Sequence, residues 1–151
     1  MKPSLKLIGT KKVTGNMARL QKKVPSASYQ SMARACELLR GYIVSKKLSG
    51  QLLKVRTNRL RGGIVKEVEQ RGNITIGKVG SNVKYARIHE LGGVIKPVRA
   101  KYLAFVVDGH FVMAKEVKMP ARHYIGSSMR EAREMLQKAI GKKFWTEVTS
   151  G

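Results

Sequence analysis

Acidic residues are scarce in this chain. Nine Asp and Glu stand against thirty-one Lys and Arg, for a formal charge of +22 in 151 residues. So one-sided a chain repels itself and is expected to work beside something acidic: nucleic acid, an anionic membrane or an acidic protein surface. Cysteine is nearly absent. A lone Cys36 excludes an intramolecular disulfide and a cysteine-rich zinc site. No apolar run approaches the roughly 20 residues of a membrane span, so no spanning helix is expected, and a membrane is not among the partners predicted. The N-terminus, MKPSLKLIGTKKV, lacks the continuous apolar stretch of a secretion signal. Aromatic residues are only 6%, too few for a base-stacking RNA-recognition sheet to be evident. Basic charge without a reading module points to attraction for a phosphate backbone rather than to base recognition.

What is present suffices for a core. Hydrophobic residues make up 42%, and the length suits one domain over residues 1–151. The charge is uneven, with net +14 over residues 1–61 and +8 over 62–151. Residues 1–14 read as a flexible or partner-ordered basic arm. A short helix over 15–23 is expected to be interrupted by Pro25. Ser26 or Ser28 then offers an N-cap for a longer helix of about 27–47, whose stripe is Met32, Cys36, Leu39, Ile43 and Leu48. Residues 51–64 read as a loop or short extended segment ending in Gly62 and Gly63. Residues 63–79, turning at Arg71-Gly72-Asn73, read as one β-hairpin. A short helix is expected within 83–93, and a loop after it. Residues 102–107 and 110–117 flank Asp108-Gly109 as a second hairpin, with Tyr102, Phe105 and Phe111 assigned to the core. The last segment, about 127–147, repeats Met129, Ala132, Leu136, Ile140 and Phe144 at helical spacing. Ser128 and Glu131 suggest a capping box at its start. These elements predict an α+β domain: an antiparallel sheet built from two β-hairpins, packed by two long amphipathic helices.

Little in the sequence carries chemistry. His89-Glu90 lacks the second histidine of a zinc-peptidase motif, since residue 93 is Gly. His89, His110 and His123 would have to converge from distant segments to bind a metal. Cys36 falls on an apolar stripe, where a free cysteine is ordinary core filling. GKVGSN lacks the glycines and the Lys-Ser/Thr of a phosphate loop. No catalytic residue, metal or cofactor is expected.

Three ordered segments, together covering roughly residues 45–140, carry a resemblance. GQLLKVRTNRLRGGI (50–64) resembles the L-x-V-R-T-G-x-L segment of the tail-completion, or virion-morphogenesis, proteins of contractile-tailed phages of the Mu and P2 type. Those proteins are similar in turn to the small tail-component proteins of lambdoid phages. SNVKYARIHELGGVIKP resembles the same family's Tyr-Ala, H-E-x-G-G and I-x-P pattern. KYLAFVVDG followed by VMAKEVKMPARHYIGSS resembles its closing strands, Pro-Ala-Arg-Pro-Tyr/Phe connector and terminal helix. Two positions depart: Asn58 stands where the family usually has Gly, and His123 where it commonly has Pro. Asn tolerates left-handed backbone, whereas the loss of Pro removes a rigid φ.

The resemblance implies a non-enzymatic structural protein of the virion. Such proteins form rings, often hexamers, at the head-proximal end of the tail or in the neck. They complete the tail or join it to the head. The implied partners are further copies of the chain, tail tube or tail terminator proteins, head-neck connector proteins and, non-specifically, phage DNA. The protein would be made in the host cytoplasm and reside in the virion. Arg56, Arg59 and Arg61 would face a partner subunit or DNA. Tyr85, His89, Glu90, Gly92 and Gly93 would fix the turn between the hairpins, with Tyr85 packing and Glu90 capping or pairing with an arginine. Pro120, Ala121 and Arg122 would place the last helix, Arg122 being equally an interface candidate. Size and charge alone fit another reading, an RNA-binding component of a large ribonucleoprotein such as a ribosomal protein. A small hydrolase centred on His89 and Glu90 is the third.

Overall fold

Helix α1 (Thr10–Tyr42) runs without a break through the position where the sequence predicts an interruption. The computed structural model describes residues 10–50, 52 and 58–149. Residues 10–14, read as part of a flexible arm, form the first helical turn; the rest of that arm lies outside the described residues. Pro25 sits inside α1. It removes one N–H and so leaves the carbonyl of Gln21 without its helical partner. Gln21 is exposed, and water can take over there. Ser26 and Ser28 therefore cap nothing: Ser26 accepts a long bond from Gln30 Nε2 (3.5 Å), and the Ser28 hydroxyl pairs with that of Thr75 (2.8 Å).

After α1 the coil widens into a π-helical turn, Ile43–Lys47, closed by the Leu48 amide donating to the Ile43 carbonyl (3.2 Å). The remaining elements are α2 (Arg59–Gly62), β1 (Ile64–Arg71), β2 (Ile74–Ser81), α3 (Ala86–Leu91), β3 (Gly93–Ile95), β4 (Leu103–Val107), β5 (His110–Ala114), β6 (Val117–Met119), α4 (Tyr124–Glu131) and α5 (Arg133–Thr149). The fold is α+β, with two antiparallel hairpins, a long N-terminal helix and a helical C-terminus. The hairpins do not share a sheet. Each described ladder has two strands: β1-β2, β4-β5, and a third, β3-β6, that joins segments read as loop and as the end of a longer strand. There Gly93 pairs with Met119, Val94 with Lys118 and Ile95 with Val117. Three-residue strands carry too weak an alternation to be seen in sequence.

By its contacts the chain divides into two compact units. One takes in α1 as far as Leu38, Lys66–Lys78 and the chain from Glu134 onward. Its buried residues include Ala27, Ser31, Ala35, Cys36, Leu136 and Val148. Here α1 crosses β2 at Gly77, where a Cβ would come within 2.5 Å of Cys36 Sγ and 2.8 Å of Met32. The close approach requires glycine. Lys66 and Glu37 form an ion pair beside it.

The second unit comprises Leu39–Val65 and Val79–Arg133. Leu39, Ile43, Leu48, Ile64, Ala86, Tyr124, Ser128 and Ala132 are buried in it. Fully burying a side chain such as Ile43 or Tyr124 contributes about 2 kcal/mol. Glu131 at the end of α4 accepts from Lys47 Nζ (2.7 Å) and from the Tyr42 hydroxyl (2.9 Å). These bonds, Lys47 first, hold its carboxyl below the usual carboxylate range.

Candidate assembly surface

The segment read as carrying the family pattern folds into a joint between α3 and α4. Helix α4 starts at Tyr124, earlier than the capping-box reading places it, and a turn at Ala132 separates it from α5. Ser128 lies inside α4, fully buried, with its hydroxyl donating to the Tyr124 carbonyl (2.6 Å). Glu131 is bound to Lys47 and Tyr42, so neither residue forms a capping box. The N-cap position is His123, whose side chain makes no capping bond.

Glu90 supplies what is missing. Its two carboxylate oxygens accept the amides of Ile125 and Gly126, each at 2.8 Å. Two of the four amides that a helix start leaves unpaired are thus satisfied by one carboxylate, whose charge also suits the positive helix end. Two backbone bonds complete the splice: the Arg122 amide donates to the His89 carbonyl and the His123 amide to the Glu90 carbonyl, both at 3.0 Å.

The neighbouring residues are shaped by this contact. Gly92 has φ +70° and ψ −175°, a region closed to other residues. A Cβ there would also meet the Ala121 amide nitrogen at 2.7 Å and the Met119 carbonyl at 2.9 Å. Gly93 starts β3. Pro120 is exposed and lies in the connector after β6. Arg122 donates through Nη1 to the Leu52 carbonyl (2.9 Å). Tyr85 is 40% exposed and meets His89 edge to face, with centroids 5.9 Å apart. Burial, and then the Arg122 charge, push the His89 pKa down. Among the described residues His89 Nδ1 and Arg122 Nε are buried without hydrogen-bond partners. Burial first, then Glu90, push the Tyr124 pKa up; Ser81 acts the other way.

The two family departures differ in consequence. Asn58 adopts φ +54°, left-handed backbone that Asn and Gly share. His123 has φ +46°. Proline, locked near −65°, cannot take that conformation, so the local backbone here is one the common family residue excludes.

The joint thus gathers Tyr85, His89, Glu90, Gly92, Gly93 and Arg122, with Pro120 beside them. Arg59 and Arg61 lie elsewhere, exposed on α2. Arg59 borders an open hollow of about 590 Å³ with Lys84 and Tyr85, and Arg61 borders one of about 340 Å³ with Arg40 and Asn58. Arg56 lies outside the described residues. The thiol of Cys36 is pushed up by burial, with Lys66 opposing. Among the described residues no three His, Cys, Asp or Glu side chains cluster as metal ligands, and no helix is long and apolar enough to cross a membrane.

The hairpin β4-β5 departs from the core assignment made for it. Its turn is as the sequence suggests, with Asp108 and Gly109 both at positive φ (+48° and +83°) between paired Val107 and His110. One face pairs Ala104 with Met113 and Val106 with Phe111. That face is open: Phe111 is 68% exposed, and Val106 and Met113 are more than half exposed. Tyr102 is exposed too, and Phe105 is half-buried. An apolar alternation shows which residues share a face, but not whether anything covers it. Sequence reasoning also assigned no role to Tyr124, which is wholly buried; its match to the Tyr/Phe position of the closing pattern, just after Pro120-Ala121-Arg122-His123, was the available signal.

No curated protein and no solved structure matches the chain. A sequence model does, over residues 8–144, which include the whole α3-α4 joint and the open hairpin. The match spans nearly the full length, and the chain belongs to the phage virion morphogenesis family.

Proposed function

We propose that the protein is a non-enzymatic structural subunit of a tailed-phage virion. It forms a ring at the head-proximal end of the tail or in the neck, and completes the tail or joins it to the head. The observation that carries this reading is the open apolar face of β4-β5. A cationic chain that exposes Phe111, Val106 and Met113 together is suited to neighbours of protein, since scattered exposed apolar residues are ordinary but a contiguous face marks a contact. The polyanion belongs to the rest of the surface. With +22 charges and no base-reading module, contact with phage DNA is through phosphates and carries no sequence preference.

Virion assembly tests the reading directly. Phage lacking the protein should accumulate heads and tails that do not join, or tails of uncontrolled length. Imaging of complete particles should place a ring of this chain at the head-proximal tail end or in the neck. Normal particles in its absence would refute the assignment. Purified protein should bind DNA of any sequence with an affinity that falls steeply as salt rises. Preference for a defined RNA would favour the ribonucleoprotein reading instead.

A further inference from the structure

The apolar stripe of α1 continues past the core that it serves. Val13, Met17, Leu20, Val24, Ala27 and Ser31 follow one another at spacings of four, three, four, three and four residues. That is one seam along a helix. Its C-terminal part is covered, with Ala27 and Ser31 each 1% exposed. Its N-terminal part is open: Val13 and Met17 are about 60% exposed, and Leu20 and Val24 are exposed as well. A second open apolar surface is the Ala104, Val106, Phe111 and Met113 face of β4-β5. A two-stranded hairpin is marginal by itself and gains most from a covering element.

Charge decides what can cover each surface. Between Thr10 and Val24, α1 carries Lys11, Lys12, Arg19, Lys22 and Lys23 and no acid. Two such helices laid seam to seam would repel, which disfavours symmetric pairing. By contrast, Tyr102–Ala114 is the longest stretch of the chain without Lys or Arg, and it contains Asp108. Within the hairpin a cationic helix from another +22 copy meets Asp108 and no Lys or Arg, which stand only beyond its open end at Lys101 and Lys115.

We propose that the N-terminal half of α1 in one copy lies across the open face of β4-β5 in the next, with Met17 and Leu20 against Phe111 and Met113. The contact joins two different surfaces, and every copy offers one of each. Such heterologous contacts either close into a ring or run on as a filament. The proposal rests on the ring reading above and names the contact that holds the ring together.

Two double variants test it by native mass measurement: Met17→Lys with Leu20→Lys, and Phe111→Lys with Met113→Lys. The wild-type chain should be a closed oligomer, and each variant a monomer with unchanged far-ultraviolet circular dichroism. Mixed in equal amounts, the two variants should give a dimer and nothing larger, because one sound helix and one sound hairpin remain per pair. A variant that keeps the wild-type oligomer, or a mixture that stays monomeric, overturns the contact. A second measurement does not depend on the lysine variants folding. The Met17→Cys, Phe111→Cys chain should form a covalent ladder of multimers on oxidation, and each single variant should not. Absence of the ladder overturns the contact as well. An oligomer that survives both double variants leaves the ring reading standing and removes only this interface. A wild-type chain that is monomeric alone and in particles removes both.

Discussion

The α3-α4 joint and the β4-β5 hairpin lie in the same compact unit, and they use their residues in opposite ways. At the joint the strongest polar group, the Glu90 carboxylate, is spent inward on the amides of Ile125 and Gly126. At the hairpin the strongest apolar groups, Phe111 and Met113, point outward. One region satisfies itself and positions a helix. The other is completed only by something outside the subunit. Family-pattern residues that look chemical, such as His89-Glu90, serve the first purpose, whereas residues that look like plain core serve the second.

Substitutions separate the two regions by size of effect. The largest loss is expected from Gly92→Ala, because both backbone region and space forbid a Cβ. Stability should fall by about 3 kcal/mol or more in urea unfolding. A near-neutral result would mean that the joint is not built as described. Glu90→Ala should come next, at about 2 to 3 kcal/mol, with two α4 amides left unpaired. Glu90→Gln retains one good acceptor and should recover roughly half of that; equal losses in both variants would show that charge, not acceptor number, does the capping.

A smaller effect is expected from pH. Folding lowers the His89 pKa, so between the folded value and the ordinary imidazole value near 6.5 the unfolded chain holds more protons. The stability that His89 contributes is therefore complete above about pH 6.5 and is lost as pH falls toward the folded value. His89→Phe should flatten that part of a stability-pH curve. An unchanged slope would assign the titration to another group. The smallest effect on the monomer should come from Phe111→Lys, within about 0.5 kcal/mol by thermal unfolding, even as assembly is lost. A large destabilisation of the isolated subunit would place Phe111 in the core after all and erase the contrast.

Much of the architecture was legible along the chain. Of Met32, Cys36, Leu39, Ile43 and Leu48, read as one stripe, all but the half-buried Met32 are buried. The Asp108-Gly109 pair makes its two-residue turn, and Asn58 takes the left-handed backbone that its chemistry tolerates. Each of these depends on residues within a few positions of one another. Pro25 misled the reading because its cost depends on whether water can reach the orphaned carbonyl, which is a property of the surroundings. Ser128 and Glu131 misled it because the capping spacing was present, but a carboxylate from α3 had already taken the helix start.

Composition and local spacing, then, determined the sign of the charge, the α+β class, the helical stripes and the tight turns, because those follow from side-chain type and from backbone preference over one or two turns. Tertiary structure alone decided that Glu90 would cap a helix 35 residues away, that β3 would pair with β6, and that the seam of α1 and the face of β4-β5 would stay open. Burial and capping belong to pairs of distant segments, and no single segment carries the information about its partner.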